Sequence, residues 1–350
     1  MVNKMKNKLF LKQLCTATAP SGREHWIYPV VKNAFEEYGE VSITPMNNIY
    51  TLKKGRGMGK IMLMAHSDEV FLMITGFEDN GFLKFKPYGI DVKTLISQEV
   101  IVHGIDDIRG IIGIKPIHLM SDMERNQATL IDELLIDTGC SDEHIRKIIN
   151  VGDFVTIKRN FYSLLNNNVV CKSIDDKAGV TAMYACAKEL SKLEHDLDVY
   201  FVASCQEEVG HRGAKMASYE IKPDIGIAID VTFDGGRLGD SERENQLGKG
   251  PVICVGPNIH PKLKRIIMET ALENDIHYQV EVEPGNTGTD AWDIQISGLG
   301  IPTLLISIPI KYMHTSVEMV NMDDIKSTGK LLARLIEKLK YEELEGLLCF

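Results

Sequence analysis

Several absences narrow the chain before any motif is read. None of its 350 residues belongs to a run approaching the roughly 18 uninterrupted apolar positions of a membrane span. No long basic run interrupts a balance of 49 acidic against 39 basic side chains, a formal charge of -10. That balance speaks against non-specific nucleic-acid binding and for plain solubility, and with no membrane-spanning run no membrane partner is expected. Cysteine is sparse and unpatterned: the seven (Cys15, Cys140, Cys171, Cys186, Cys205, Cys254 and Cys349) are odd in number and include no Cys-x-x-Cys pair. A reducing, cytoplasmic setting is expected, with the cysteines serving mostly as small core residues. The basic opening "MVNKMKNKLFLKQLC" lacks the continuous apolar core and small-residue cleavage site of a secretory signal. Internal repeats and low-complexity tracts are also missing.

What is present is enough apolar material for a substantial core. At 44% hydrophobic residues, a chain of 350 makes either one large domain or two moderate ones. Apolar runs alternate with helical patterns, the signature of a mixed, largely parallel sheet flanked by helices, hence an α/β class. "KIMLMA" (60–65), "NVVCKSI" (168–174), "DVYFVASC" (198–205), "DIGIAI" (224–229) and "IPTLLISI" (301–308) read as buried strands. Helical spacing joins Val180, Met183, Ala187 and Leu190, and again Ile325, Thr328, Leu332, Leu335 and Leu339. Between residues 71 and 163 the grain changes to short strands cut by glycines, with an Asn80-Gly81 turn and a helical excursion at "LIDELLID". The expected organisation is therefore an α/β domain from 1–70 and 164–350, with a β-rich insert at 71–163.

In an open α/β sheet, ligands bind beyond the carboxyl ends of the strands. Inspecting those positions yields His66 and Asp68, then Asp175 and Asp176, Glu207 and Glu208, Asp230, and finally His314. Each alone has an ordinary explanation. A lone histidine is commonly a satisfied one, and acids opening a helix commonly cap it. Five strand ends carrying ligand-type residues are harder to treat as coincidence, and together they point to a metal site. Histidine plus carboxylate, without a cysteine requirement, suits zinc, cobalt or manganese better than calcium or an iron–sulfur centre. Two histidines and three or more carboxylates exceed one tetrahedral ion and suit two ions about 3.5–4 Å apart, sharing a carboxylate and a water. Hydrolysis also requires a base. Two adjacent glutamates on an extended segment would point in opposite directions, one to a metal and one to the substrate side.

With these residues in place, the chain resembles the M42 family of dinuclear metallo-aminopeptidases, which includes glutamyl aminopeptidases and the tetrahedral TET peptidases. The resemblance spans nearly the whole sequence. It is carried by "APSGRE" (19–24), "AHSDEV" (65–70), "IDDKAG" (174–179), "QEEVGHRGAK" (206–215), "AIDVT" (228–232), "GTDAW" (288–292) and "IPTLLISIPIKYMHT" (301–315). It implies that His66 and Asp230 hold one ion, that Glu208 and His314 hold the other, and that Asp175 bridges them. Glu207 matches the general base, and Asp68 the acid that orients His66. Asp176 matches a supporting second acid. The resemblance further implies short peptides as substrates, a β-barrel-like insert used in assembly, and a homo-oligomer, typically a dodecamer.

Side-chain preference is less legible. Lys172, Arg237, Arg243 and Lys311 could pair with an acidic substrate side chain, or could be surface or oligomer-contact residues. The loop "PGNTGTDAW" (284–292) is the better pocket wall, with Gly288, Thr289 and Asp290 as candidate substrate contacts, although Gly285 and Gly288 could serve only the turn. Two other classes stay open. A glycosidase would use two carboxylates without needing histidines, and a non-catalytic assembly protein would have no use for Glu207.

Overall fold

The computed structural model describes residues 2–236, 244–344 and 346; Arg237, Arg243 and Cys349 lie outside them. The described residues form two compact units. The larger takes those within Met1–Glu69, Phe161–Met313 and Glu318–Phe350, and the smaller takes Val70–Asn160 with His314–Val317.

The larger unit begins with α1 (Val2–Thr16), an element that the composition of its N-terminus did not announce. Asn7, Phe10, Leu11 and Leu14 recur at helical spacing and are buried, so packing and not propensity makes the helix. Pro29 sits in the first turn of α2 (Tyr28–Phe35), where its missing N–H removes no intrahelical bond. Strands β1 (Glu40–Ile43), β2 (Ile49–Lys53) and β3 (Lys60–His66) follow.

The smaller unit is a closed barrel in the order β4-β5-β8-β7-β6-β9. Its strands are β4 (Phe71–Phe77), β5 (Leu83–Tyr88), β6 (Glu99–His103), β7 (Asp107–Gly113), β8 (Leu135–Asp137) and β9 (Phe154–Ile157), with helices α3 (Asp122–Arg125) and α4 (Asp142–Ile148) in the connections. Closure leaves no open sheet edge, which is how a small all-β body avoids edge-to-edge pairing. The turn between β4 and β5 uses Asn80 at φ 63° and Gly81 at φ 82°. A side chain at Gly81 would meet the Cys140 carbonyl oxygen at 2.2 Å, so this position admits only glycine. The stretch "LIDELLID" is not helical beyond a single 3-10 turn at Ile131–Glu133. Leu134 and Ile136 are both buried, a period of two that places the segment in the barrel as β8. The helical expectation there failed because burial of Leu134 and Ile136 in the barrel core overrode the helical propensity of leucine and glutamate.

The chain returns to the larger unit through β10 (Tyr162–Ser163), β11 (Asn168–Cys171), α5 (Ile174–Leu190), β12 (Asp198–Ser204), α6 (Arg212–Ile221), β13 (Ile225–Phe233) and β14 (Val252–Val255). It finishes with α7 (Pro261–Glu273), β15 (Gln279–Val282), α8 (Ala291–Ile294), β16 (Thr303–Lys311), β17 (Glu318–Asn321) and α9 (Met322–Lys338). Among the described residues the sheet has eleven strands, in the order β1-β2-β12-β3-β13-β16-β17-β11-β10, with β14 on β16 and β15 on β14. The central four, β12, β3, β13 and β16, are mutually parallel and antiparallel strands flank them. Along β3 every residue after Lys60 is buried, and along β13 every residue before Phe233. That double-sided burial explains why these strands read as unbroken apolar runs. Helices α5 and α9 cross closely at Gly329, where a Cβ would stand 2.6 Å from that of Ala185.

Parallel pairing brings the strand ends into line. His66 pairs in register with Ser204, and Asp230 with Ser307. Asp230 lies inside β13, which continues to Phe233, and not after its end as the apolar run suggested. Five of the six described cysteines are buried and all six are free thiols. Among the described residues, no helix is long and apolar enough to cross a membrane.

Candidate metal centre

Two groups of side chains offer ligand atoms lying within 4.8 Å of one another: His66, Asp175 and Asp230, and Asp175, Glu208 and His314. Asp175 belongs to both. These are five of the eight residues that the strand-end pattern singled out, and the five that the resemblance named as ligands.

The first group is buried. His66 is 2% exposed, Asp175 and Asp230 each 6%. The His66 ring turns Nε2 toward Asp175 Oδ1 at 3.0 Å. Its other nitrogen, Nδ1, has no hydrogen-bond partner and faces Asp68 Oδ1 at 3.5 Å. Asp175 donates its backbone N–H to Glu318 Oε2 at 3.0 Å, which anchors the start of α5 to β17. Asp175 and Asp176 fall within α5 but are not helical, and the peptide bond between them is cis. Asp176 turns back so that its Oδ1 accepts from the Gly179 amide at 2.9 Å, while its Oδ2 has no hydrogen-bond partner. A Cβ on residue 179 would lie 2.4 Å from that Oδ2, so glycine is needed to admit the carboxylate.

Electrostatics distinguish this cluster from a solvated strand edge. Burial pushes the Asp230 carboxyl well above the usual range, and Asp176, Glu207 and Asp175 reinforce it. Burial likewise raises Asp176, with Asp175 adding to the effect. Burial opposes charge on His66, but the neighbouring carboxylates of Asp175, Asp68 and Glu207 override it and raise the imidazole. So many anions drawn out of water into one space is unfavourable without a compensating charge. A divalent cation would supply that charge, and imidazole plus carboxylate is a donor set such ions accept. The residues present therefore fit the group.

Glu207 and Glu208 do not occupy an extended segment. They follow β12 in a turn, where the Gly210 and His211 amides donate to the Glu207 carbonyl at 2.8 and 3.0 Å. Strand alternation is thus not what separates them. Asp68 and Glu24 grip the backbone of this turn. Asp68 accepts from the amides of Glu207 (3.1 Å) and Glu208 (3.3 Å) and from the Ser21 hydroxyl (2.6 Å). Glu24, fully buried, accepts from the Gln206 amide at 3.0 Å and the Gly22 amide at 2.7 Å. Burial, then repulsion from Asp68, pushes the Glu24 carboxyl up to about 7. Glu24 was overlooked as a site residue, although "APSGRE" was already a matching segment. Its partner lies 182 positions away, beyond the reach of any local pattern.

Behind Asp175 lies a buried ion cluster. Lys172 and Ser173 both bond to Glu69, and Lys177 approaches the same carboxylate at 3.4 Å. Lys172 also donates to the Ala17 carbonyl at 3.1 Å and is 5% exposed, so it is an internal brace and not a surface cation. Burial alone would raise the Glu69 carboxyl, but Lys172 and Lys177 outweigh it and hold it at about 2. Because this folded value lies below the ordinary one, the stabilisation is complete above about pH 4.5 and is lost as pH falls toward 2. Lys172→Met is expected to destabilise the fold by about 3 kcal/mol by leaving Glu69 under-compensated. Urea midpoints at pH 7 check this, and a shift below one third of that size would show the pair to be incidental.

The remaining candidate residues sit as follows. Gly288 is at φ +63° with open space around it. Thr289 is buried and its hydroxyl meets that of Thr287 at 2.9 Å. Asp290 is 3% exposed, accepts from Ser204 Oγ at 2.5 Å, and is pushed up to about 7 by burial and by Glu207. Lys311 pairs with Asp234 at 3.4 Å.

Fold and cluster together define a class: α/β proteins with a histidine–carboxylate donor set at or near the carboxyl ends of sheet strands, and with a separate β-barrel unit interrupting the chain. The M42 glutamyl aminopeptidase family profile matches residues 47–331, and the chain belongs to that family. It is 37% identical to a lysyl aminopeptidase of Pyrococcus furiosus over 94% of this chain and 96% of the relative. An aminopeptidase structure from the archaeon Desulfurococcus kamchatkensis superposes with a TM-score of 0.90 at 34% identity, covering 99% of both chains. The Pyrococcus horikoshii TET1 peptidase, described as assembling into a tetrahedron or a large octahedral shell, gives 0.83 at 31% identity over 96% of this chain and 100% of its own.

Proposed function

We propose that this chain is a metal-dependent aminopeptidase that removes the N-terminal residue from short peptides. The observation that carries the reading is the sharing of Asp175 between two ligand groups with Glu207 beside them. In this reading His66 and Asp230 hold one divalent ion, Glu208 and His314 hold a second, and Asp175 serves both. Zinc or cobalt suits these donors, with manganese as a further candidate. Bound there, such a pair supplies Lewis acidity and lowers the pKa of a water molecule.

The protein's own residues do the rest. Glu207, with Oε2 3.9 Å from His66 Nε2, faces the ligand cluster and takes a proton from the attacking water. The same carboxyl then returns the proton to the departing amine. Asp68 fixes the backbone of both glutamates, so the base and its neighbouring ligand move as one rigid turn. It also faces His66 Nδ1, which favours presentation of Nε2 to an ion. The 284–292 loop, through Gly288, Thr289 and Asp290, and Lys311 at the end of β16, would contact the substrate.

A homo-oligomer belongs to the same proposal, a dodecamer being the form described for a TET1 structure 30% identical to this chain. Exposed Val280 and Val282 on β15 and exposed Leu299 support an association surface. The reading is tested with a panel of aminoacyl p-nitroanilides before and after dialysis against a chelator. Turnover that disappears on chelation and returns with Zn²⁺ or Co²⁺ is expected. Cleavage of cellulose that survives chelation would instead favour a glycosidase, and silence across the whole panel a non-catalytic role.

A further inference from the structure

One side chain of the "QEEVGHRGAK" segment has no part in the scheme so far. His211 begins α6 in a left-handed conformation, φ 52° and ψ 33°, which turns its ring back over the preceding turn. Its Nε2 lies 3.2 Å from Glu207 Oε1. Its Nδ1 lies 3.0 Å from Oδ2 of Asp293, a 5% exposed carboxylate on α8. The two oxygens of Glu207 are thus divided, Oε1 on His211 and Oε2 toward the ligand cluster.

We propose that Asp293 and His211 form a brace that holds the Glu207 carboxylate in the orientation from which it exchanges a proton, making His211 a positioning residue for the reaction. The inference rests on the reading of Glu207 as the base. An imidazole set between two carboxylates donates to both only in its protonated form; here Nδ1 makes the hydrogen bond to Asp293 and Nε2 stands in ion-pair contact with Glu207, so the ring ties the two acids together. The groups facing the ring fit this. Glu207 comes from its own turn, Asp290 and Asp293 from the α8 segment, and Lys215 on α6 shares Asp293 at 3.5 Å. The bond to Glu207 is also the largest influence raising the imidazole above its ordinary value. The brace is anchored at both ends in backbone: the His211 amide donates to the Glu207 carbonyl at 3.0 Å, and the Asp293 amide to the Asp290 carbonyl at 3.2 Å. An unbraced glutamate would sample other rotamers, and displacing a catalytic group by about 1 Å can cost about 100-fold in rate.

The test uses the metal-loaded protein and the fastest aminoacyl p-nitroanilide of the panel. His211→Leu is expected to lower kcat by about 10- to 100-fold with KM and metal content near wild type. His211→Gln, which keeps a neutral donor, should recover part of the loss. Asp293→Asn should show a smaller loss, and combining it with His211→Leu should be no worse than His211→Leu alone. In a Glu207→Gln background, His211→Leu should cost nothing further, because the group it positions is gone. A wild-type kcat in His211→Leu, an equal loss in the Glu207→Gln background, or a loss of metal would each overturn the brace. If Glu207→Gln alone kept full turnover, the base assignment would fall instead, so the two failures are separable.

Discussion

Glu207→Gln is expected to lower kcat by about 100- to 10,000-fold, the usual contribution of a positioned general base, while metal content and KM stay near wild type. The substitution is nearly isosteric and keeps a hydrogen-bonding group toward His211, so the turn gripped by Asp68 should persist. What is lost is only the capacity to accept a proton. Glu207 lies outside both ligand groups, which is why metal should remain. Single-turnover kinetics with elemental analysis of the same preparation measure both quantities. Turnover within threefold of wild type would remove Glu207 from the mechanism, and loss of metal would recast it as a ligand.

Asp175→Ala is expected to act in the opposite way, dropping metal content below one ion per chain and taking activity with it. Asp175 is the single residue common to the two ligand groups, so its removal breaks both. The folded chain should survive, because the Asp175 amide keeps its bond to Glu318 whatever side chain it carries. Removing an anion from a set of buried acids also relieves repulsion, so the metal-free variant should melt no lower than the metal-free parent. The parent, in contrast, should gain about 2.7 kcal/mol from an ion present at 100 times its Kd, and the variant should gain little. Melting curves with and without Zn²⁺ show the difference directly. An Asp175→Ala protein with full metal content would dismantle the shared-ligand scheme.

Much of this could be read along the chain because the central strands are buried on both faces. Burial on both faces forces continuous apolar runs, and a continuous run reveals where a strand stops. The polar residues at those stops, His66, Asp175, Glu208 and His314, stand out by contrast. The barrel was less legible. Its strands are short, and "LIDELLID" has a composition that suits helix and strand alike until Leu134 and Ile136 find the barrel core. The flanking strands β1, β2, β14 and β15 were less legible for a related reason, since each is only four or five residues long, β1 and β15 are largely exposed, and β2 and β14 are too short for a buried run to stand out.

By itself the sequence determined which residue types stand at the carboxyl ends of which strands, and therefore the chemistry available there. Only the tertiary structure decided how those residues are held. Glu24 under Gln206, Asp68 under both glutamates, Lys172 on Glu69 and His211 on Asp293 are pairs separated by 82 to 182 positions. Local periodicity records which face of a strand or helix is buried, because burial repeats with the geometry of the element. It cannot record which distant element packs against that face, and the turn that carries Glu207 and Glu208 is held by such distant partners.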